Sequence, residues 1–477
     1  MSLNSLSSDR YFYITLLVLC ILSRLVTSIF YIEDIDSLRF ALAANDYDVL
    51  SNRPHFPGYP LYCFILSSFY SLIGSLGFTF SLIGGISVFV LIYFTGKTYQ
   101  LLTSKESYIP AIILFFNPFV WIMSNRYMPD LMGLSLLSMG IYYFIHYIKT
   151  KELKSLIFLG FSLGCLSGVR LSYLPFFLPV VVLFLKTKTL KPFLLSGVLF
   201  FLVWFVPWII VTDVYSLYEV ALNDVNGHFY RWGCTVLSHD AALTLRAQKI
   251  VEALFADSFG FWWTDRNWIT IINTVFLSFP ILITLLSFRL IYHKNKKEIV
   301  VIMLCLLCYF LWALFFQNVV YKPRHMMPFI PFTALILVRG MNQIRAKIDV
   351  KWSLVLCSFL LGPYIIISSK LITQHKEPSA LAQIKIFLEN KASDKTVVVS
   401  NSLKNYYFRK SIDSNIVYLN HDNYHSRLNN YYQQGYKVYS TFSLSSTNFQ
   451  YKNKTNFYHN PYVNKLWSSL RIYEYEK

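Results

Sequence analysis

Glu33, Asp34 and Asp36 fall within one helical turn of the point where the first apolar run of the chain gives out. A carboxylate beside hydrocarbon is costly to keep and is rarely idle. Further along, Arg126 and Asp130 share the stretch SNRYMPDLMGL, Arg170 interrupts SGVRLSYLP, and Lys322, Arg324 and His325 crowd into YKPRHMMPFIP. Together these residue types support one chemistry. A carboxylate takes the proton from an attacking hydroxyl or amine. Arg and Lys hold a phosphate, Arg through a two-pronged fork, and stabilise the charge that develops on it. Each position also has a plainer role open to it. Asp36 precedes the amphipathic DSLRFALAAN and would cap that helix, and Asp130 would cap another. Arg126 would be an interfacial anchor, and His55, inside NRPHFPGYPLY, a hydrogen-bonded structural residue. A cap at Asp36 leaves Glu33 and Asp34 unexplained.

Whether these groups meet depends on the elements that carry them. The chain has 477 residues, 55% of them hydrophobic and only 14% charged, with a mean hydropathy of +0.44. Soluble domains carry about 25% charged residues, so a polytopic membrane protein is implied. The net charge of +18 would suit nucleic acid, but the basic residues cluster in short loops between apolar runs, as the positive-inside rule predicts. Spans of about 20 apolar residues are expected near 11–31, 77–96, 108–124, 131–148, 154–170, 172–186, 192–212, 268–289, 299–318, 325–339 and 352–369, about 11 transmembrane helices in all. The first lacks a small-residue cleavage site and reads as a retained anchor. Pro60 to Gly74 is apolar but short. Treated as an interfacial or re-entrant helix, it places every lysine-rich loop on the cytoplasmic side. Those loops carry Lys97 and Lys105; Lys149, Lys151 and Lys154; Lys186, Lys188 and Lys191; Arg289, Lys294, Lys296 and Lys297; and Arg339, Arg345, Lys347 and Lys351. The N-terminus is then cytoplasmic and the C-terminus extracytoplasmic.

The outer face receives loops 32–76, 125–130 and 213–267, the turn at 321–325 and the tail. Residues 1–370 read as a membrane domain and 371–477 as a small extracytoplasmic α/β domain, in which SALAQIKIFLEN is a helix and KTVVVSN, NIVYLN, YKVYSTF and LRIYEYE are strands. DSLRFALAAN is expected along the membrane surface, with Leu38, Ala41 and Leu42 on one face. Pro54, Pro57, Gly58 and Pro60 stiffen the path over His55, and irregular backbone at membrane depth is tolerated where it lines a cavity. Six of the seven cysteines lie in or beside apolar segments and only Cys234 in a long polar loop, so no disulfide framework is expected.

Two acidic and three basic sites thus converge on one membrane face as a polar pocket. It suits transfer of a sugar from a polyprenyl phosphate, whose phosphate lies at headgroup level with the lipid tail in the bilayer. DSLRFALA after the first span, HFPGYPLY before a short apolar helix, RYMPD opening a later span and KPRHMMPFIP resemble the GT-C glycosyltransferases over about residues 10–340. The likeness is to the protein O-mannosyltransferase and aminoarabinose transferase branch, including bacterial members. That resemblance implies an Asp-Glu followed by an aromatic-Ala pair in the first loop. Asp36 and Phe40-Ala41 match it, while Ser37 stands where the best-known members have Glu, and Asp34 is the substitute acid. Asp130 matches the second acidic site.

The expected set is therefore Asp36, Asp130 and Asp34 as catalytic carboxylates, with Arg126, Arg170, Lys322, Arg324 and His325 on the donor phosphate. His55 and Tyr59 belong to the substrate pocket. No metal ligand is assigned; the Asp34-x-Asp36 pair leaves a divalent cation open without a nucleotide-binding context for one. The expected partners are a polyprenyl-phosphate sugar, a glycan, lipid or protein acceptor, and membrane lipids, in a bacterial inner or plasma membrane. A transporter or flippase of lipid-linked sugars is the alternative, although transporters place ionisable groups near mid-membrane in paired halves. A scaffold in which Asp36 and Asp130 only cap helices is the third reading.

Overall fold

The structure, a computed structural model, describes residues 3–185, 189–233, 235–238, 242–391, 395–412, 415–444, 449 and 451–476. Lys186, Lys188 and Cys234 lie outside them. Among the described residues, seven helical stretches are long and apolar enough to cross a membrane: Leu76–Thr103, Asp130–Thr150, Leu153–Phe184, Leu190–Thr212, Ile269–Leu286, Lys296–Phe316 and Lys351–Lys391. The chain is thus a helical, multi-pass membrane protein, and these seven stretches match part of the eleven spans expected. Proline accounts for part of the difference. The run expected at 108–124 divides into Ile109–Phe115 and Pro118–Asn125, because Pro118 cannot donate to the preceding turn and Asn117 caps the new one through Val120 N at 2.9 Å. The run expected at 325–339 opens as a 3-10 turn, Pro323–Phe329, before the helix Ile330–Arg345.

Leu153–Phe184, expected as two spans, is one helical run that doubles back through the 3-10 segment Leu171–Phe177. A Cβ added at Gly133 would lie 2.6 Å from Arg170 Cβ, and one at Gly140 would lie 2.8 Å from the Phe177 ring, while Phe184 packs on Tyr147. These approaches put Arg170 beside the start of the Asp130–Thr150 helix and bring Phe184 back to its end. Pro60–Ile73 has 14 residues, about 21 Å at 1.5 Å per residue and too short to cross alone.

The basic loops meet at one end of the bundle. Lys149 Nζ donates to Asn295 Oδ1 at 2.7 Å and to Leu101 O at 2.6 Å, Lys294 Nζ reaches Ser104 Oγ at 3.2 Å, and Asn342 binds Ser107 and Tyr99. Asp130 and Arg170 lie at the other end.

The C-terminal region is a five-stranded sheet of order β2-β1-β3-β5-β4, with β1 Thr396–Ser400, β2 Val417–Asn420, β3 Lys437–Ser440, β4 Tyr451–Tyr458 and β5 Ser469–Tyr475. β1 runs parallel to β2 and β3, and β5 is antiparallel to β3 and β4. The helix Ala380–Lys391 and four of the strands are those expected; β4 is additional. The helix preceding this region, Val350–His375, is unbroken past residue 370.

Candidate active site

The acidic loop begins with a helix whose cap is Asp34. Its Oδ1 accepts from Ser37 N at 2.8 Å, and Ser37 Oγ accepts from Asp34 N at 2.8 Å, a reciprocal capping box opening the helix Ile35–Ala43. The cap expected of Asp36 is therefore made two residues earlier, and Asp36 sits in the first helical turn with its carboxylate free of the backbone. Asp130 is likewise no cap: Pro129 holds that position and makes no side-chain cap bond. Nor does Ile35–Ala43 lie open along a surface, since Asp36, Ser37, Leu38, Phe40, Ala41 and Ala43 are all buried.

Asp36 reaches across 286 residues of sequence. Its Oδ2 lies 2.5 Å from Lys322 Nζ and also accepts from Arg324 Nη2, and its Oδ1 is 3.3 Å from Arg39 Nη1. Arg324 and His325 are held there by tyrosines, Tyr173 OH donating to Arg324 O at 3.5 Å and Tyr309 OH to His325 O at 2.8 Å. Burial alone would raise the Asp36 carboxyl, but Lys322 and Arg324, with His55 and Arg39, outweigh it and hold the group well below the usual carboxylate range.

Asp130 continues the network, with Arg170 Nη2 2.8 Å and Arg324 Nε 3.7 Å from its Oδ1. Arg170 Nη1 donates to Tyr59 OH at 3.1 Å, and Tyr59 OH meets His55 Nε2 at 3.2 Å. Burial, then the neighbouring cations, keeps the His55 and His325 imidazoles well below their ordinary value of 6.5, so both are neutral near neutral pH; each has a buried Nδ1 with no hydrogen-bond partner among the described residues. The irregular path that delivers His55 and Tyr59 needs Gly58. Its φ is +77°, and a Cβ there would lie 2.7 Å from Tyr47 OH and 2.9 Å from Trp208 and Val49.

A cavity of about 490 Å³ opens against this network, a volume in the range of small-molecule sites. Asp36, His55, Tyr59, Arg170, Lys322, Arg324 and His325 line it. Another part of its wall is apolar: Leu171, Leu174, Pro175 and Leu178. Leu171 and Leu178 are 42% and 53% exposed.

Three expected residues stand elsewhere. Asp130 is not among the lining residues; it backs Arg170 and Arg324. Arg126, expected on a donor phosphate, lies off the cavity and is engaged elsewhere: Nη2 meets Asp34 Oδ2 at 2.5 Å and Asn464 Oδ1 at 3.1 Å, and Nε is 3.4 Å from Glu33 Oε2. Asp34, expected as a catalytic acid, divides its oxygens between the cap and Arg126. Glu33 also takes His375 Nε2 at 3.1 Å, and Asn464 Nδ2 donates to Glu33 O at 2.6 Å. The acids that a cap at Asp36 left unexplained therefore tie the loop to the C-terminal region. Sequence reasoning missed His375 and Asn464, whose partners lie more than 300 residues away. It also missed Asp224, a second carboxylate on the cavity wall beside Asp36.

No family model matches the chain, and no curated protein does. Among solved structures it is similar to the crystal structure of ArnT from Cupriavidus metallidurans bound to undecaprenyl phosphate, with a TM-score of 0.59, 9% identity and 98% of each chain covered. The apo state of that protein gives 0.56, 9% identity and the same coverage. At this identity the likeness is one of fold, and it extends over the C-terminal region as well as the membrane part. The helical membrane fold with a small C-terminal α/β region, expected from the sequence, is the one observed, and those structures share it.

Proposed function

We propose that this cavity is the active site of a membrane glycosyltransferase that moves a sugar from a polyprenyl-phosphate donor to an acceptor hydroxyl or amine. The observation that carries the reading is the clamp on Asp36. Lys322 and Arg324 converge on one carboxylate oxygen at the wall of a cavity whose other side carries the apolar Leu171, Leu174, Pro175 and Leu178. A phosphate with a lipid tail satisfies both features at once, and the ArnT structure of the same fold holds undecaprenyl phosphate. The charges gather at one end of the bundle, unlike the mid-membrane sites of a transporter.

In this reading the acceptor oxygen or nitrogen attacks the anomeric carbon, and its proton goes to Asp36. The bond from that carbon to the phosphate oxygen breaks, and the polyprenyl phosphate leaves with the electron pair. Lys322, Arg324 and Arg170 meet the charge that develops on it. Clamped by two cations, Asp36 is a poor proton acceptor. A donor phosphate that draws Lys322 and Arg324 onto itself loosens the clamp and lets the basicity of the carboxylate recover. Asp130 orients Arg170 and Arg324, while Asp34 and Arg126 position the loop and transfer nothing. His55 and Tyr59 complete the pocket.

We also assign the cavity end to the extracytoplasmic face of a bacterial inner membrane, with the lysine-rich end and the N-terminus cytoplasmic. The supporting observation is that the described basic loops share the opposite end. Residues 1–370 are then the membrane domain and 371–477 an outer domain clasping the first loop. The test is to supply the purified protein with undecaprenyl-phosphate sugars and follow release of undecaprenyl phosphate. Mass spectrometry of cell-envelope glycolipids and glycoproteins, with and without the protein, identifies the acceptor.

A further inference from the structure

Asp224, on the helix Val214–Asn226, lines the cavity and has no part in the phosphate chemistry. It is 8% exposed, and its Oδ2 accepts from Phe56 N at 3.1 Å, next to His55. Asp36, Asp34, Glu33 and Asp130 are all ion-paired, but among the described residues no cation pairs with Asp224. Burial pushes its carboxyl up, against smaller opposing effects of the Phe56 N–H and Arg39. A buried carboxylate with unused acceptor capacity is costly unless a ligand supplies hydrogen bonds.

The geometry of the cavity says which part of a ligand does so. A phosphate fixed at Lys322 and Arg324 has its lipid tail drawn along the apolar wall of Leu171, Leu174 and Leu178. Ser172, Gln317, Asn318 and His228 share the polar wall that remains, and Asp224 is its one carboxylate among the described lining residues; His228 lies one helical turn on and is fixed by Nε2 to Phe316 O at 2.8 Å. We propose that Asp224 holds the sugar of the donor, accepting hydrogen bonds from its hydroxyl groups, and so sets the preference for a glycosylated lipid over a bare one. This rests on reading the cavity as the donor site. A site built around such hydrogen bonds discriminates strongly against a ligand that lacks them.

The experiment measures binding of undecaprenyl phosphate and of undecaprenyl phosphate carrying a hexose, glucose and mannose separately, to the full-length protein in lipid nanodiscs. Wild type should bind at least one glycosylated lipid at least about tenfold more tightly than the bare one. Asp224→Asn, whose amide oxygen still accepts from Phe56 N, should bring that ratio close to one and leave bare-lipid affinity unchanged. If Asp224→Asn does not fold, Asp224→Glu, with the charge displaced by one methylene, should lower the ratio in the same way. Equal wild-type affinity for bare and glycosylated lipids, or a ratio that survives substitution, overturns the assignment. Failure of wild type to bind bare undecaprenyl phosphate overturns the donor-site reading itself.

Discussion

Lys322 Nζ stands 2.5 Å from Asp36 Oδ2, although 286 residues of chain separate them. The contact joins the first outer loop to the 3-10 turn Pro323–Phe329, and it joins the base of the proposed reaction to a ligand of its phosphate.

The cations should divide by position. Ala at Lys322, Arg324 or Arg170 removes charge from the cavity wall and should raise the apparent donor KM about tenfold or more, lowering kcat as well if the contact strengthens as the phosphate leaves. Arg126→Ala should leave the donor KM near wild type and act on stability. Steady-state kinetics with varied donor decide this, and a donor KM that rises only for Arg126→Ala would reverse the assignment.

Asp34 allows the cap to be separated from the ion pair. Asn caps about as well as Asp, so Asp34→Asn keeps the capping box and loses the attraction to Arg126, while Asp34→Ala loses both. The two should differ by about 1 kcal/mol, the value of a cap. Both should fall well below wild type, since removing one partner of a buried pair costs about 3–5 kcal/mol. Thermal unfolding in detergent measures the difference, and an Ala variant as stable as the Asn variant would show that the cap contributes nothing.

Acid should destabilise the site through its imidazoles. His55 and His325 lie well below 6.5 when folded, burial being the main cause. The unfolded chain therefore binds more protons as pH falls below 6.5. Stability from their neutrality is present above that value and is lost as pH falls towards their folded values. The melting temperature should drop between about pH 7 and about pH 5, and more shallowly in His55→Gln/His325→Gln. An equally steep drop in the double variant would assign the acid sensitivity elsewhere.

The orientation is open to labelling. Ser426→Cys, exposed on the helix His425–Gln433, should react with an impermeant thiol reagent in spheroplasts; Lys347→Cys, exposed at the lysine-rich end, should react only after lysis. The opposite pattern inverts the topology.

The cavity was legible in the sequence because ionisable residues interrupting or ending apolar runs stand out, as Asp36, Arg170, Lys322, Arg324 and His325 do, while His55 and Tyr59 stand in the stiff proline-rich stretch NRPHFPGYPLY. The pairings were not legible. Arg126 and Asp130 are five-residue neighbours of one type pattern, yet Arg126 turns to Asn464 and Asp34 while Asp130 turns to Arg170, a choice made by packing. The cap at Asp34 did carry a local signal, Asp34 followed three residues later by Ser37, which DSLRFALA obscured by starting the count two residues late. β4 escaped notice because YKNKTNFY is mostly exposed and carries almost no apolar alternation. The division of the 108–124 run at Pro118 was not legible, since hydropathy does not register such a break.

The account turns on Asp36 as proton acceptor, and Asp36→Asn tests it. Asn cannot take the proton, and general base catalysis contributes about 10²–10⁴-fold, so turnover of a polyprenyl-phosphate sugar should fall at least about a hundredfold. Affinity for undecaprenyl phosphate, measured on the same folded preparation, should stay the same or tighten, because Lys322 and Arg324 no longer share their charge with a carboxylate. An Asp36→Asn protein that binds the lipid and turns over near the wild-type rate would contradict the account.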